Sequence, residues 1–233
     1  MDSIKKTAQL AGFLYLLGAF TAPFTLIYVP GKLLVPGDAT ATANALRASG
    51  ALFRTGIAAE LLGFTLSIFV SLVLYRLFKA VNEQNALALL ALSLISIPIV
   101  FFNLLNEIAA LELAAGGASF LSVFDAPQRD ALAYLFLSLH AKGFTVAQIF
   151  WGLWLFPFGA LVIRSGFIPR FLGVLLIIAG VGNLVAAFTA LVLPQYVDRV
   201  SLFTTVLSFG EAPIIFWLLI WGARPQPAAA RPS

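Results

Sequence analysis

Six acidic or amide side chains lie inside stretches of this sequence that are otherwise apolar enough to cross a bilayer. They are Glu60, Asn103, Asn106, Glu107, Gln148 and Glu211. Burying an ionisable group at that depth costs on the order of 3 kcal/mol, so such groups usually face a protein interior or a watery cavity and mark function. The pattern therefore predicts a polar site within the membrane, and it does not specify what binds there.

Helical periodicity places these groups on stripes of small and polar residues. Gly56, Glu60 and Gly63 recur at steps of three or four, and Asn103 and Glu107 are about one turn apart. Small residues and amides also let membrane helices pack and hydrogen-bond, which explains the glycines and amides without any ligand. That explanation is weak for the acids, because amides and hydroxyls form the same bonds without a charge.

We predict that these groups converge on a pocket that opens outward and binds a small lipophilic ligand or a cation, as a carrier or a sensor. Neither a metal nor a cofactor is needed for this interpretation. The predicted ligand-binding residues are Glu60, Asn103, Asn106, Glu107, His140, Gln148, Glu211 and Arg54.

Two other functions stay open. The first is an intramembrane metal-assisted hydrolase, in which a metal-bound water is the nucleophile. Its ligands would be Glu60, Glu107, His140 and Glu211, although the sequence has neither an HExxH motif nor a second His. The second is a structural or accessory subunit of a larger membrane complex, for which the small size of the chain is the main argument.

The composition places the chain among integral membrane proteins. Hydrophobic residues make up 61% of it, charged residues 10%, and the mean hydropathy is +1.00, whereas soluble domains are about 25% charged. The absence of Cys excludes disulfides, thiolate metal ligands and Cys nucleophiles. Basic residues occur singly at the ends of apolar runs, so we expect membrane lipids as partners and no nucleic acid.

The hydropathy pattern predicts an all-α fold, a polytopic transmembrane helical bundle of about six spans with short extracytoplasmic helices. A single transmembrane domain would cover residues 1–223, and residues 224–233 would form a disordered cytoplasmic tail. The predicted spans are Ala8–Val29, Arg54–Leu77, Ala86–Ala114, Gly143–Ile163, Phe171–Leu193 and Leu202–Trp221.

The distribution of Lys and Arg gives the orientation. The bias favours a multi-pass protein of the bacterial cytoplasmic (inner) membrane with both termini in the cytoplasm. Two outer connections are predicted to hold helices, one capped by Asp38 and running to about Arg47, the other beginning after Asp125 and running toward His140. The sequence does not specify an oligomeric state or a larger complex.

Several segments carry a resemblance to a known family. The most specific part is the RSGxxPRxLG core, Arg164 to Gly173. The others are Ala11–Tyr15, Leu74–Asn82, Ile149–Leu176 and Glu211–Gly222. Together they resemble a family of small bacterial integral membrane proteins, the DUF4386 type, a domain of unknown function. The resemblance covers nearly the whole chain; it implies a six-span membrane protein and no established activity.

Overall fold

The computed structural model describes residues 2–223 and is all-α, with no strand in that range. Six helical spans are long and apolar enough to cross a membrane, which confirms the predicted fold class. They are numbered here in chain order: Ser3–Leu33, Gly50–Phe78, Glu83–Ala115, Ala126–Ser165, Arg170–Val192 and Pro194–Ile220. The predicted disordered tail, 224–233, lies outside the described residues.

The fourth span corrects one boundary prediction. A separate helix ending near His140 was expected before a span that begins at Gly143, yet one helix of 40 residues runs from Ala126 to Ser165. A lone Gly costs only about 1 kcal/mol in a helix, and Ala141 and Lys142 are good helix formers, so the helix does not end there. His140 therefore lies within the helix instead of at its terminus.

The two connecting helices begin as the sequence predicted. Asp38 caps the helix Ala39–Ala48 by accepting a 2.8 Å hydrogen bond from the backbone N–H of Ala41. Asp125 and Gln128 each accept a hydrogen bond from the other's backbone N–H at the start of the fourth span, an arrangement that satisfies two otherwise unpaired donors.

An ion pair that the sequence did not indicate holds the first of these helices in place. The Arg47 guanidinium donates to the buried carboxylate of Asp130 at 2.9 Å and to the carbonyl of Ala114 at 3.0 Å. The pairing joins three elements that are far apart in sequence, and no local pattern predicts it.

Pro23 and Pro213 lie next to irregular helix geometry. Pro23 is followed by a π-helical turn over Phe24–Tyr28, and a 3₁₀ turn ends shortly before Pro213. The helices continue across Pro98 and Pro157. Pro removes one backbone hydrogen-bond donor, so a membrane helix departs from regular geometry most readily near a Pro.

The chain divides into two compact units. The first, called here the acid unit, comprises Leu17–Leu66 and Ser96–Ala147. The second, called here the amide unit, comprises the described residues 2–16, 67–95 and 148–223. The core of the acid unit includes Val29, Leu33, Leu46, Phe53, Leu121 and Leu137. That residues 1–223 form one domain stays a prediction.

Candidate metal centre

Three of the predicted site residues meet inside the acid unit, each supplied by a different span. Glu60 comes from the second span, Glu107 from the third and His140 from the fourth. The Nε2 atom of His140 lies 3.6 Å from Oε2 of Glu60 and 3.6 Å from Oε1 of Glu107. One donor atom from each side chain lies within 4.8 Å of the other two, a spacing that fits a metal ion.

The two carboxylates are buried without adequate partners. Glu60 is 4% exposed, and the side chain of Glu107 is partly buried, with 13% of its surface exposed. Oε1 of Glu60 and Oε2 of Glu107 have no hydrogen-bond partner, and no Lys or Arg of residues 2–223 pairs with either acid. Buried polar atoms are almost always satisfied, so two carboxylate oxygens without a protein partner in one cluster are suited to binding a cation.

Backbone contacts between the third and fourth spans orient the imidazole. Nδ1 of His140 lies 3.3 Å from the carbonyl oxygen of Asn103, and the Asn103 side-chain amide donates to the carbonyl of His140 at 2.8 Å. Asn106 in turn donates to Oδ1 of Asn103 at 3.0 Å. With its proton on Nδ1, the ring directs the lone pair of Nε2 toward the two acids. Metal-binding His residues are usually held in this way.

Gly143 makes this contact between spans possible. A Cβ atom built on Gly143 would overlap the side-chain amide of Asn103. Because Gly143 follows His140 by three residues, the two share a helix face, and the missing side chain leaves room for Asn103 to reach the His140 carbonyl. In the sequence, Gly143 is predicted only as the start of a span. Its position three residues after His140 is the feature that could have indicated a close contact there.

A cavity of about 330 Å³ adjoins the cluster. The polar residues that line it are Glu107, His140 and Thr25, and all the other lining residues are apolar. The remaining lining residues are Leu26, Val29, Pro30, Leu33, Leu34, Phe53, Leu137, Ala141 and Phe144. Glu60 is not part of the lining. A volume near 300 Å³ with few polar groups is typical of small-molecule sites.

The other predicted site residues lie elsewhere. Arg54 is exposed, although it belongs to the acid unit. Gln148 belongs to the amide unit, where it donates to Asn183 at 3.1 Å. Glu211 is in the same unit, in a 3₁₀ turn of the sixth span. The metal-ligand group formed by the described residues contains neither Arg54, Gln148 nor Glu211. Their roles in binding stay predictions.

The chemistry of the donors suits a divalent transition metal. Zinc binds carboxylate and imidazole at about 2.0–2.2 Å, so tetrahedral ligands lie about 3.4 Å apart, close to the two observed distances of 3.6 Å. Two carboxylates and one dication are also neutral together, which reduces the cost of burying the acids. Three protein ligands leave a fourth position for water or another ligand.

The comparisons place the chain among proteins without an assigned activity. A protein described as uncharacterised, from Archaeoglobus fulgidus, is 28% identical over 167 residues, which cover 72% of this chain and 83% of the relative. No solved structure matches the chain significantly. The bacterial origin implied by the resemblance stays a prediction, because this relative is archaeal. A family model matches residues 10–222, and the chain therefore belongs to the family described as a domain of unknown function, DUF4386.

Proposed function

We propose that this membrane protein binds one divalent transition-metal ion through Glu60, Glu107 and His140, and that the ion is the ligand-binding centre of a sensor or carrier. One observation carries the proposal: three donor atoms from three spans lie within 4.8 Å of one another, and the second oxygen of each carboxylate has no hydrogen-bond partner. Zinc is the first metal to test, because one imidazole with two carboxylates suits it well.

The cation resolves a problem that the sequence already posed. Ionised carboxylates in a membrane interior need a partner, and within the described chain Arg54 and Lys142 are both exposed. The sequence alone favours a pocket that needs no metal. The contacts of His140 lead us to prefer the metal-containing alternative, without Glu211 as a ligand.

The direct test is the metal content of the purified full chain in lipid nanodiscs. We expect about one zinc ion per chain after dialysis against zinc and removal of the excess. The variant E60Q/E107Q keeps the shape of both side chains while removing their charge, and it should retain much less than the native chain. Q148L, which changes a residue of the amide unit, is the matched control and should bind as the native chain does.

Metal content equal in E60Q/E107Q and in the native chain would overturn the proposal. Loss of metal in Q148L as well would mean that any perturbed variant loses it, so thermal unfolding of all three proteins should accompany the measurement. Manganese or iron in place of zinc would change the metal assigned and would leave the three ligands unchanged.

A metal-assisted hydrolase is the second candidate, and the number of protein ligands favours it. Catalytic zinc sites commonly hold three protein ligands and a water at the fourth position. A sensor or carrier would release its ligand unchanged, whereas a hydrolase would convert it. Mass spectrometry of acyl amides and esters incubated with the zinc-loaded protein distinguishes the two functions.

For location, we propose the cytoplasmic membrane with both termini in the cytoplasm. Lys5, Lys6, Arg76 and Lys79 support this orientation, because they cluster near span ends on one predicted side. A reporter that is active only outside the cytoplasm, fused after Ser233, should be inactive. Activity of that fusion would reverse the orientation.

A further inference from the structure

We infer that the ligand of the metal centre is a single-chain amphiphile, whose acyl chain occupies the cavity and whose terminal carbonyl or carboxylate oxygen binds the metal. This inference rests on the proposed function, because the head group needs the ion. It adds the chemical class of the ligand and the route by which that ligand enters.

The division of the cavity wall into a polar end and an apolar remainder is the first observation. Glu107 and His140 line the cavity and are also two of the three metal-ligand residues, whereas Glu60 does not line it. Only these two residues and Thr25 interrupt the apolar lining. The Thr25 hydroxyl already donates to backbone carbonyls of its own helix, at 3.1 Å to Thr21. A ligand with one polar end and a long apolar end matches this wall.

Two exposed residues that line the cavity, called here its rim, indicate the route by which the ligand enters. Leu26 is 54% exposed and Leu34 is 36% exposed, and both line the cavity from the first span or the residue that follows it. Exposed apolar side chains on a membrane span contact lipid, so the cavity is accessible to molecules dissolved in the bilayer. An acyl chain can enter from there without leaving an apolar environment.

The helix that carries this rim has irregular geometry at the same place. The π-helical turn Phe24–Tyr28 contains two of the lining residues, Thr25 and Leu26. Such a turn inserts an extra residue into the helix and is frequent at functional sites. It follows Pro23, whose missing N–H already weakens the hydrogen-bond pattern there. Part of the cavity wall is thus formed by an irregular turn of the first span.

The test compares two hydroxamates that share one metal-binding head. Decanohydroxamic acid carries a long chain and acetohydroxamic acid carries almost none. With zinc-loaded protein in nanodiscs, the long probe should bind at least about tenfold more tightly, because its chain is buried in the cavity. The same preparation after chelator treatment gives the metal-independent background, and protein-free nanodiscs correct for partition into lipid.

Two single substitutions on the fourth span separate the cavity from the general surface. Ala141 lines the cavity and is exposed, so A141F fills the space without disturbing a buried core. L139F places the same side chain at an exposed residue of the same helix that does not line the cavity. A141F should remove the advantage of the long chain with metal content unchanged, and L139F should keep it.

The outcomes separate this inference from the proposed function. If the protein holds metal but binds both hydroxamates equally, or if A141F behaves as the native chain, the inference is overturned and the metal centre stands. If the long probe binds as well after chelation, its head does not contact the metal, which also overturns the inference. If no metal binds, the proposed function itself fails.

Discussion

Two polar clusters in this chain use their donors and acceptors in opposite ways. In the amide unit, Oδ1 of Asn183 accepts from Gln148 at 3.1 Å and from Ser208 at 3.2 Å, so side chains from three spans satisfy one another. In the acid unit, Glu60 and Glu107 keep orphaned oxygens beside His140. The first cluster is hydrogen-bonded packing between helices, whereas the second has unpaired acceptors, which the proposed cation would bind.

The comparison teaches how to separate structural from functional polarity inside a membrane. Both clusters consist of side chains that a hydropathy profile treats alike. Amides and hydroxyls both donate and accept, so they can pair among themselves, whereas ionised carboxylates only accept. A pair of buried acids next to an imidazole acceptor therefore lacks donors when both acids are ionised, and a cation can then take the place of the donors.

The largest expected effect in this comparison comes from Gly143. G143A should weaken zinc binding by about 10- to 100-fold, the range typical for loss of a contact that orients a metal-binding His. The new methyl group displaces the Asn103 amide and pushes the third and fourth spans apart, which moves the Asn103 carbonyl oxygen away from Nδ1 of His140. Competition with a zinc-binding dye measures the affinity. G152A, in the same helix but in the amide unit, is the control; an equal loss in both variants would indicate damage to the helix in general.

Acid should weaken the metal centre and leave the amide cluster unaffected. Metal ligands bind in the deprotonated form, so protons compete with the ion at Glu60, Glu107 and His140. Zinc affinity should fall as pH decreases, by about tenfold per pH unit for each ligand that must lose one proton. Isothermal titration at several pH values, in two buffers of different ionisation enthalpy, gives both the affinity and the number of protons released. An affinity independent of pH would exclude these ligands.

The smallest expected effect concerns the amide cluster. Q148L removes one hydrogen bond to Asn183, while the bond from Ser208 remains. Such bonds contribute about 0.6 kcal/mol on average in membrane proteins, so unfolding in mixed micelles should be easier by roughly that amount. Zinc affinity should not change. A large loss of metal in Q148L would mean that metal retention is not specific to the acid unit, and the contrast between the clusters would fail.

Periodicity predicted the elements of the fold well and the extent of one helix badly. The six spans follow from long apolar runs, which predict membrane spans whatever the tertiary arrangement of the helices. The sequence predicts a separate helix toward His140 and a span that begins at Gly143, because the segment before Gly143 is more polar than the span. The helix continues through that segment because a lone Gly costs only about 1 kcal/mol and its neighbours favour helix.

The sequence is enough to show that this protein folds in a membrane and to identify the few residues that are costly to bury there. An acid in a membrane helix needs a partner whatever the fold, so Glu60, Glu107 and Glu211 were identifiable from hydropathy alone. Which of these acids are neighbours depends on the tertiary structure. It brought Glu60 and Glu107 to His140 and placed Glu211 in the other unit, because contacts between helices depend on rotation and depth, which hydropathy does not encode.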